Sequence, residues 1–217
     1  MIKRNKKGFT LAEVLITLVI VGVIAAITVP TLMQGTQKKE YITGLKKANT
    51  VLNQAIYNIS QKNGAAVGDY SLFNNQDFID EFANVVNYTV KGETRAECFG
   101  DNTYKYLNGS DVPDNVFPTD KKCLTTADGM TYMAWRNNYP GGGYLTSTDN
   151  SNCMVRVYVD INGRKKPNKF GLDTFVFFIV NHKGIVPPGT GTSDDCNRNG
   201  WGFTCSAKVL RTDKMDY

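Results

Sequence analysis

Residues 9–29, FTLAEVLITLVIVGVIAAITV, form a run of 21 residues with one charge, Glu13. At about 1.5 Å per residue a helix of that length spans roughly 31 Å, about the hydrocarbon thickness of a bilayer. Such a segment folds as a helix whose surroundings are lipid or other apolar helices. Lys3, Arg4, Lys6 and Lys7 lie on its N-terminal side only. That asymmetry predicts a cytoplasmic N-terminus and the rest of the chain outside. Glu13 is the anomaly, because a charge at the centre of a membrane helix costs about 2.5–3.5 kcal/mol and some cost remains near its end.

A conventional secretory signal has a shorter apolar stretch and a small-residue cleavage site beyond it. Here the nearest small pair, Ala25-Ala26, lies inside the run, and the first cysteine is as distant as Cys98. A plain anchor fits the length but leaves Glu13 without a reason. Cleavage between Gly8 and Phe9 supplies one. The new α-amine of Phe9 lies i,i+4 from Glu13 on one helix face. The carboxylate also occupies the first helical turns, where the macrodipole favours an anion. The two charges can pair within one chain or between neighbouring chains, and the second case fixes axial register in an assembly.

KKGFTLAEVLITLVIVGVIAAITVP resembles the N-terminus of type IV pilins and type II secretion pseudopilins. The likeness consists of a short basic leader, Gly8 before the cut, Phe9 after it, Glu13 fifth after the cut, and Pro30 closing the apolar stretch. The resemblance implies cleavage by a prepilin peptidase and N-methylation of Phe9. It implies a long helix carrying a globular head, and polymerisation into a filament with identical or related pilins on an inner-membrane assembly platform. The site implied is the Gly8/Phe9 junction for cleavage, with Phe9 and Glu13 setting register.

Three segments are expected: a leader (1–8), a long helix (9–63) and a head (64–217). The helix divides into a transmembrane part (9–29) and an amphipathic part (about 36–63). Gly22 and Ala26 form a small-xxx-small pair that permits close helix approach. Pro30 removes a helix donor and Gly35 weakens the next turn, which predicts a kink or a locally melted stretch at 30–35. Tyr41, Leu45, Ala48, Leu52, Ala55, Ile56 and Ile59 then trace one helix face. The helix is expected to end near Asn63-Gly64.

Beyond residue 64 the chain is rich in Gly, Asn, Asp, Ser and Thr, with short apolar runs. A short helix is expected around Phe78–Val86. Met130–Trp135, Met154–Ile161 and Thr174–Val180 read as strands, and Ile185-Val186 as the start of another. The fold class is α+β, a small antiparallel sheet against the helix stripe. The Gly-rich stretch Pro140–Tyr144 lacks the Lys and Ser/Thr of a phosphate loop and reads as a surface loop.

Five cysteines follow one another at 98, 123, 153, 196 and 205, with no C-x-x-C and one histidine, His182. That is poor material for zinc and, outside the cytoplasm, good material for disulfides. Cys196 and Cys205 bracket a short Gly-containing loop and are expected to pair, in a position similar to the disulfide-closed region of many pilins. Cys98–Cys123 is the next pairing, with Cys153 left over, although five thiols leave the connectivity open.

Between the two best strands, Asp160, Asn162, Asn168 and Asp173 gather oxygen donors within fourteen residues. Calcium takes six to eight oxygens, so a weak Ca²⁺ site through Asp160, Asn162 and Asp173 competes with ordinary Asx-turn hydrogen bonding. The loop is similar in kind to the calcium-holding loops of some major pseudopilins, and its spacing is not that of an EF-hand.

The chain's net charge is +5, but the four leader cations carry most of it, and residues 63–217 hold 16 Lys/Arg against 18 Asp/Glu. Nucleic-acid binding by the head is not supported, although Arg164, Lys165, Lys166 and Lys169 form a local basic cluster. No catalytic motif is present, so the reading is non-enzymatic. The sequence thus points to a filament subunit of the bacterial cytoplasmic membrane that moves into a pilus or pseudopilus. The alternative is a membrane-anchored binding or adhesin module, with a tip-located minor pilin between the two.

Overall fold

A computed structural model describes residues 8–66, 69, 77–100, 103–136 and 143–217. The leader cations and the stretch Pro140–Gly142 lie outside the described residues. The chain divides into two compact units, up to Lys39 and from Glu40 onwards.

In the first unit, helix α1 (Leu11–Asn63) begins. Its stretch Leu11–Val29 is long and apolar enough to cross a membrane, and none of it is buried within the protein. The hydroxyls of Thr17 and Thr28 donate to the carbonyls of Val14 and Ile24 at 2.9 Å. Back-bonding of this kind hides their polarity from an apolar surrounding. Helical backbone continues unbroken through residues 30–35. The locally melted stretch expected at Pro30 and Gly35 is therefore not found. Pro30 deprives the ladder of one N–H, and the bonds on either side suffice to carry the helix across.

In the second unit, α1 buries the stripe read from the sequence. Leu45, Ala48, Leu52, Ile56 and Ile59 are fully buried, and Tyr41 and Ala55 nearly so. The helix stops at Asn63 because Gly64 turns into the left-handed region at φ +63°. Such a C-terminal glycine ends the helix without a Cβ penalty.

The stripe packs on a six-stranded antiparallel meander, β1 (Tyr88–Gly92), β2 (Cys123–Thr126), β3 (Thr131–Arg136), β4 (Cys153–Asp160), β5 (Thr174–Val180) and β6 (Gly184–Val186), in sequence order. Alternation assigns the strands' side chains to two faces. Tyr132, Ala134, Val155, Val157, Val159, Phe175, Phe177 and Ile179 meet α1 and the short helix α2 (Phe78–Ala83). Every residue of β5 is buried, so its opposite face is covered too. Phe99, Tyr104, Phe117, Tyr158, Phe170, Phe178 and Phe203 make a second, aromatic core there. Many of these rings meet edge to face, as at Phe99–Phe117 and Tyr158–Phe170, the arrangement ring quadrupoles favour.

Helix α3 (Arg95–Phe99) carries a capping box between Thr94 and Glu97. Helices α4 (Ser147–Ser151) and α5 (Cys205–Thr212) complete the elements. Disulfides join Cys98 to Cys123, tying α3 to β2, and Cys196 to Cys205 at the start of α5. Both are the pairs expected. The buried Cys153 takes part in neither.

Candidate assembly site

Phe9 is almost fully exposed at the head of α1. Among the described residues, a Cβ built on Gly8 meets nothing within 4 Å. The helix proper begins at Leu11, and Thr10 stands before it in the N-cap position. Glu13 is the third helical residue. Its Oε2 accepts from the Thr10 N–H and from the Thr10 hydroxyl, both at 2.8 Å. The Thr10 Oγ1 in turn accepts from the Glu13 N–H at 3.2 Å. This is a capping box, which satisfies helix N–H groups that have no partner within the helix.

The arrangement corrects one expectation. In the uncut chain Glu13 is not an unexplained cost, since it already closes the helix end with Thr10. The Phe9 nitrogen is there a peptide N–H and offers no charge. Thr10 was missed as a site residue, although the spacing Thr10-x-x-Glu13 ahead of an apolar run is itself a readable signal.

The calcium candidates lie in the β4–β5 connection. Asp160 and Asp173 are fully buried. Asp160 accepts from the Tyr104 hydroxyl at 2.7 Å and from the Asn162 N–H at 3.2 Å. Asp173 accepts from the Asn168 and Lys169 N–H groups at 2.8 and 2.6 Å. Burial raises both carboxyls above the usual carboxylate range, and Asp173 pushes Asp160 up further. No ion pair with either acid occurs among the described residues. The side-chain oxygens Oδ1 of Asn162 and Asn168 are buried without a donor, an arrangement that costs energy as it stands.

Both carboxylates are thus served by uncharged donors, while two nearby amide oxygens are buried without one. Among the described residues no group of three or more His, Cys, Asp or Glu gathers for a metal. A cation here would have to draw on the amide oxygens. Helix α1 approaches this loop closely at Gly44, where a Cβ would lie 3.1 Å from Ile161 Cδ1.

Arg164 of the basic cluster donates to the carbonyls of Glu97 and Cys98. His182 sits in the β5–β6 turn at φ 62°.

Residues 3–29 match the family model described as the prokaryotic N-terminal methylation motif. That motif is the prepilin-type cleavage and methylation signal of type IV pilins and pseudopilins, and it makes the chain pilin-like or pseudopilin-like at its N-terminus. The match ends within α1 and does not extend to the head. No curated protein and no solved structure matches the chain.

Proposed function

We propose that the chain is a structural subunit of a type IV pilus-like filament. Prepilin peptidase cuts between Gly8 and Phe9, Phe9 is N-methylated, and the subunit polymerises through α1 on an inner-membrane platform. The observation that carries this reading is the methylation motif heading a helix whose apolar stretch is wholly exposed. A surface of that kind needs lipid before assembly and neighbouring helices after it. The N-terminus lies in the cytoplasm and the head outside, where the two disulfides form.

In this mechanism the cut changes the partner of Glu13. Before it, Thr10 holds the carboxylate. After it, the Phe9 amine of the same or a neighbouring chain competes for it, and that competition sets register. Glu13→Ala should insert and be cleaved but assemble poorly. Normal filaments from that variant in the native host would refute the register role. Neighbouring genes for a secretin, a DNA-uptake channel or a retraction motor would separate secretion, competence and pilus machines.

The β4–β5 loop adds a weak Ca²⁺ site held by Asp160, Asp173 and the amide oxygens of Asn162 and Asn168. Bound calcium would neutralise the acid pair and stiffen the loop. Melting of the protein should rise in calcium relative to chelator, and an unchanged melting temperature at millimolar calcium would count against it. A second reading, an anchored binding module or tip subunit, is favoured by one observation, an open cleft on the head beside Trp135 and Arg156.

A further inference from the structure

Trp135, Arg156 and Phe178 stand side by side across β3, β4 and β5, as direct cross-strand neighbours. They lie on the sheet face turned away from α1. The Arg156 guanidinium sits over Trp135 at 5.8 Å and over Phe178 at 5.5 Å from the ring centroids. It donates to the Tyr158 hydroxyl at 3.3 Å. Trp135 stacks on Tyr158 at 4.9 Å and 12°. Rings on several sides thus fix the guanidinium, so little of its conformational freedom remains to be lost on binding.

Arg156 borders a cleft of about 660 Å³ that Asn115, Trp135 and Arg136 also line. That volume falls in the range of small-molecule sites. Other cations of the cleft are engaged: Lys122 with Asp80 at 2.7 Å and Asp77 at 3.5 Å, and Lys121 with Asp120 at 3.0 Å. Arg156 makes no ion pair among the described residues. Its Nε is buried with no acceptor. A fixed guanidinium fork without an acid is matched by a carboxylate, which can take two parallel N–H bonds. The partly exposed indole beside it is an amphipathic surface suited to a pyranose ring. Asn115 also lines the cleft and can meet hydroxyls, while the lining acids Asp77, Glu93 and Asp120 are paired with the two lysines.

We propose that this cleft binds a carboxylate-bearing sugar, a hexuronate unit of an acidic polysaccharide. The inference does not depend on the filament reading. It is tested by titrating the full chain in detergent with glucuronate, glucose, acetate and inorganic phosphate, following tryptophan emission and heat. In a Trp201→Phe background, Trp135 is the sole indole reporter. Glucuronate should shift Trp135 emission and bind at least tenfold more tightly than the other three. Arg156→Gln should lose at least tenfold in affinity. Arg156→Lys, which keeps the charge but not the fork, should also weaken binding while melting near wild type. Absence of glucuronate binding, or acetate, phosphate or glucose binding as tightly, would overturn the proposal. So would full affinity in a folded Arg156→Lys protein.

Discussion

The two disulfides stabilise the head unequally, and the inequality follows from loop length. Cys98–Cys123 spans a sequence separation of 25 and Cys196–Cys205 one of 9. In the chain-entropy model the longer loop contributes about 3.5 kcal/mol and the shorter about 2.6 kcal/mol. Replacing each pair by alanines removes the crosslink and also opens small cavities. All four cysteines are almost fully buried, from 0 to 2 % exposed. The cavity contributions are therefore of similar size and largely cancel between the two variants. The difference that remains is about 0.9 kcal/mol, with Cys98→Ala/Cys123→Ala the less stable. For a unit of this size about 1 kcal/mol moves Tm by roughly 2–4 °C. Loss of the crosslink alone should thus lower Tm by roughly 7–14 °C and 5–10 °C, the cavities adding a similar further fall to both, measured by calorimetry on residues 40–217, which hold both cores. Equal losses, or a larger loss from the C-terminal pair, would refute the loop-closure reasoning. Reduction of the wild type should cost at least as much as the worse variant.

Three further outcomes are expected. Leu52→Ala empties a fully buried position under the sheet and should cost about 2–5 kcal/mol in urea denaturation. Gly202→Ala should destabilise the head measurably, since φ is +89° and a Cβ would lie 2.6 Å from the Phe170 carbonyl oxygen; a neutral result would mean that the C-terminal loop relaxes freely. Stability should also depend on pH through two opposed sets of acids. Burial raises Asp160 and Asp173 in the folded head, so their share is present below about pH 4, near the unfolded carboxyl value, and is lost as pH rises through their folded values. At Asp80 burial works upward, but bonds from Lys122 and Lys91 hold the carboxyl below its usual range, so that share is lost as pH falls below about 4. With chelator present, melting temperatures should therefore decline as pH rises through the raised folded values of Asp160 and Asp173, and calcium should flatten that decline.

The helix was readable because its signals are long and repeated. A 21-residue run with a single charge and seven stripe positions at spacings of mostly three and four allow one interpretation each. The strands β3 to β5 were readable from β-branched and aromatic content, within a residue or two at their ends. β1 and β2 were not. YTVKG has four exposed positions and CLTT only four residues, so neither carries a pattern of its own. They exist because β3 templates β2, β2 templates β1, and Cys123 is tied to α3. The second core was also hidden. Tyr104, Phe117 and Phe170 belong to no periodic pattern and lie far apart in the sequence, and only the tertiary fold brings their rings together. At the candidate site, Gly8, Phe9 and Glu13 were legible as a spacing. Thr10 was legible too, through its three-residue spacing to Glu13 ahead of the apolar run.

The central claim is that Glu13 changes partners when the chain is cut after Gly8. Its most direct test is the N-terminal peptide of the protein from a host with prepilin peptidase, identified by mass spectrometry. The account predicts a peptide beginning at N-methylated Phe9 and a chain roughly 0.9 kDa lighter at its mean residue mass. A chain that reaches the membrane in that host with residues 1–8 intact would contradict it.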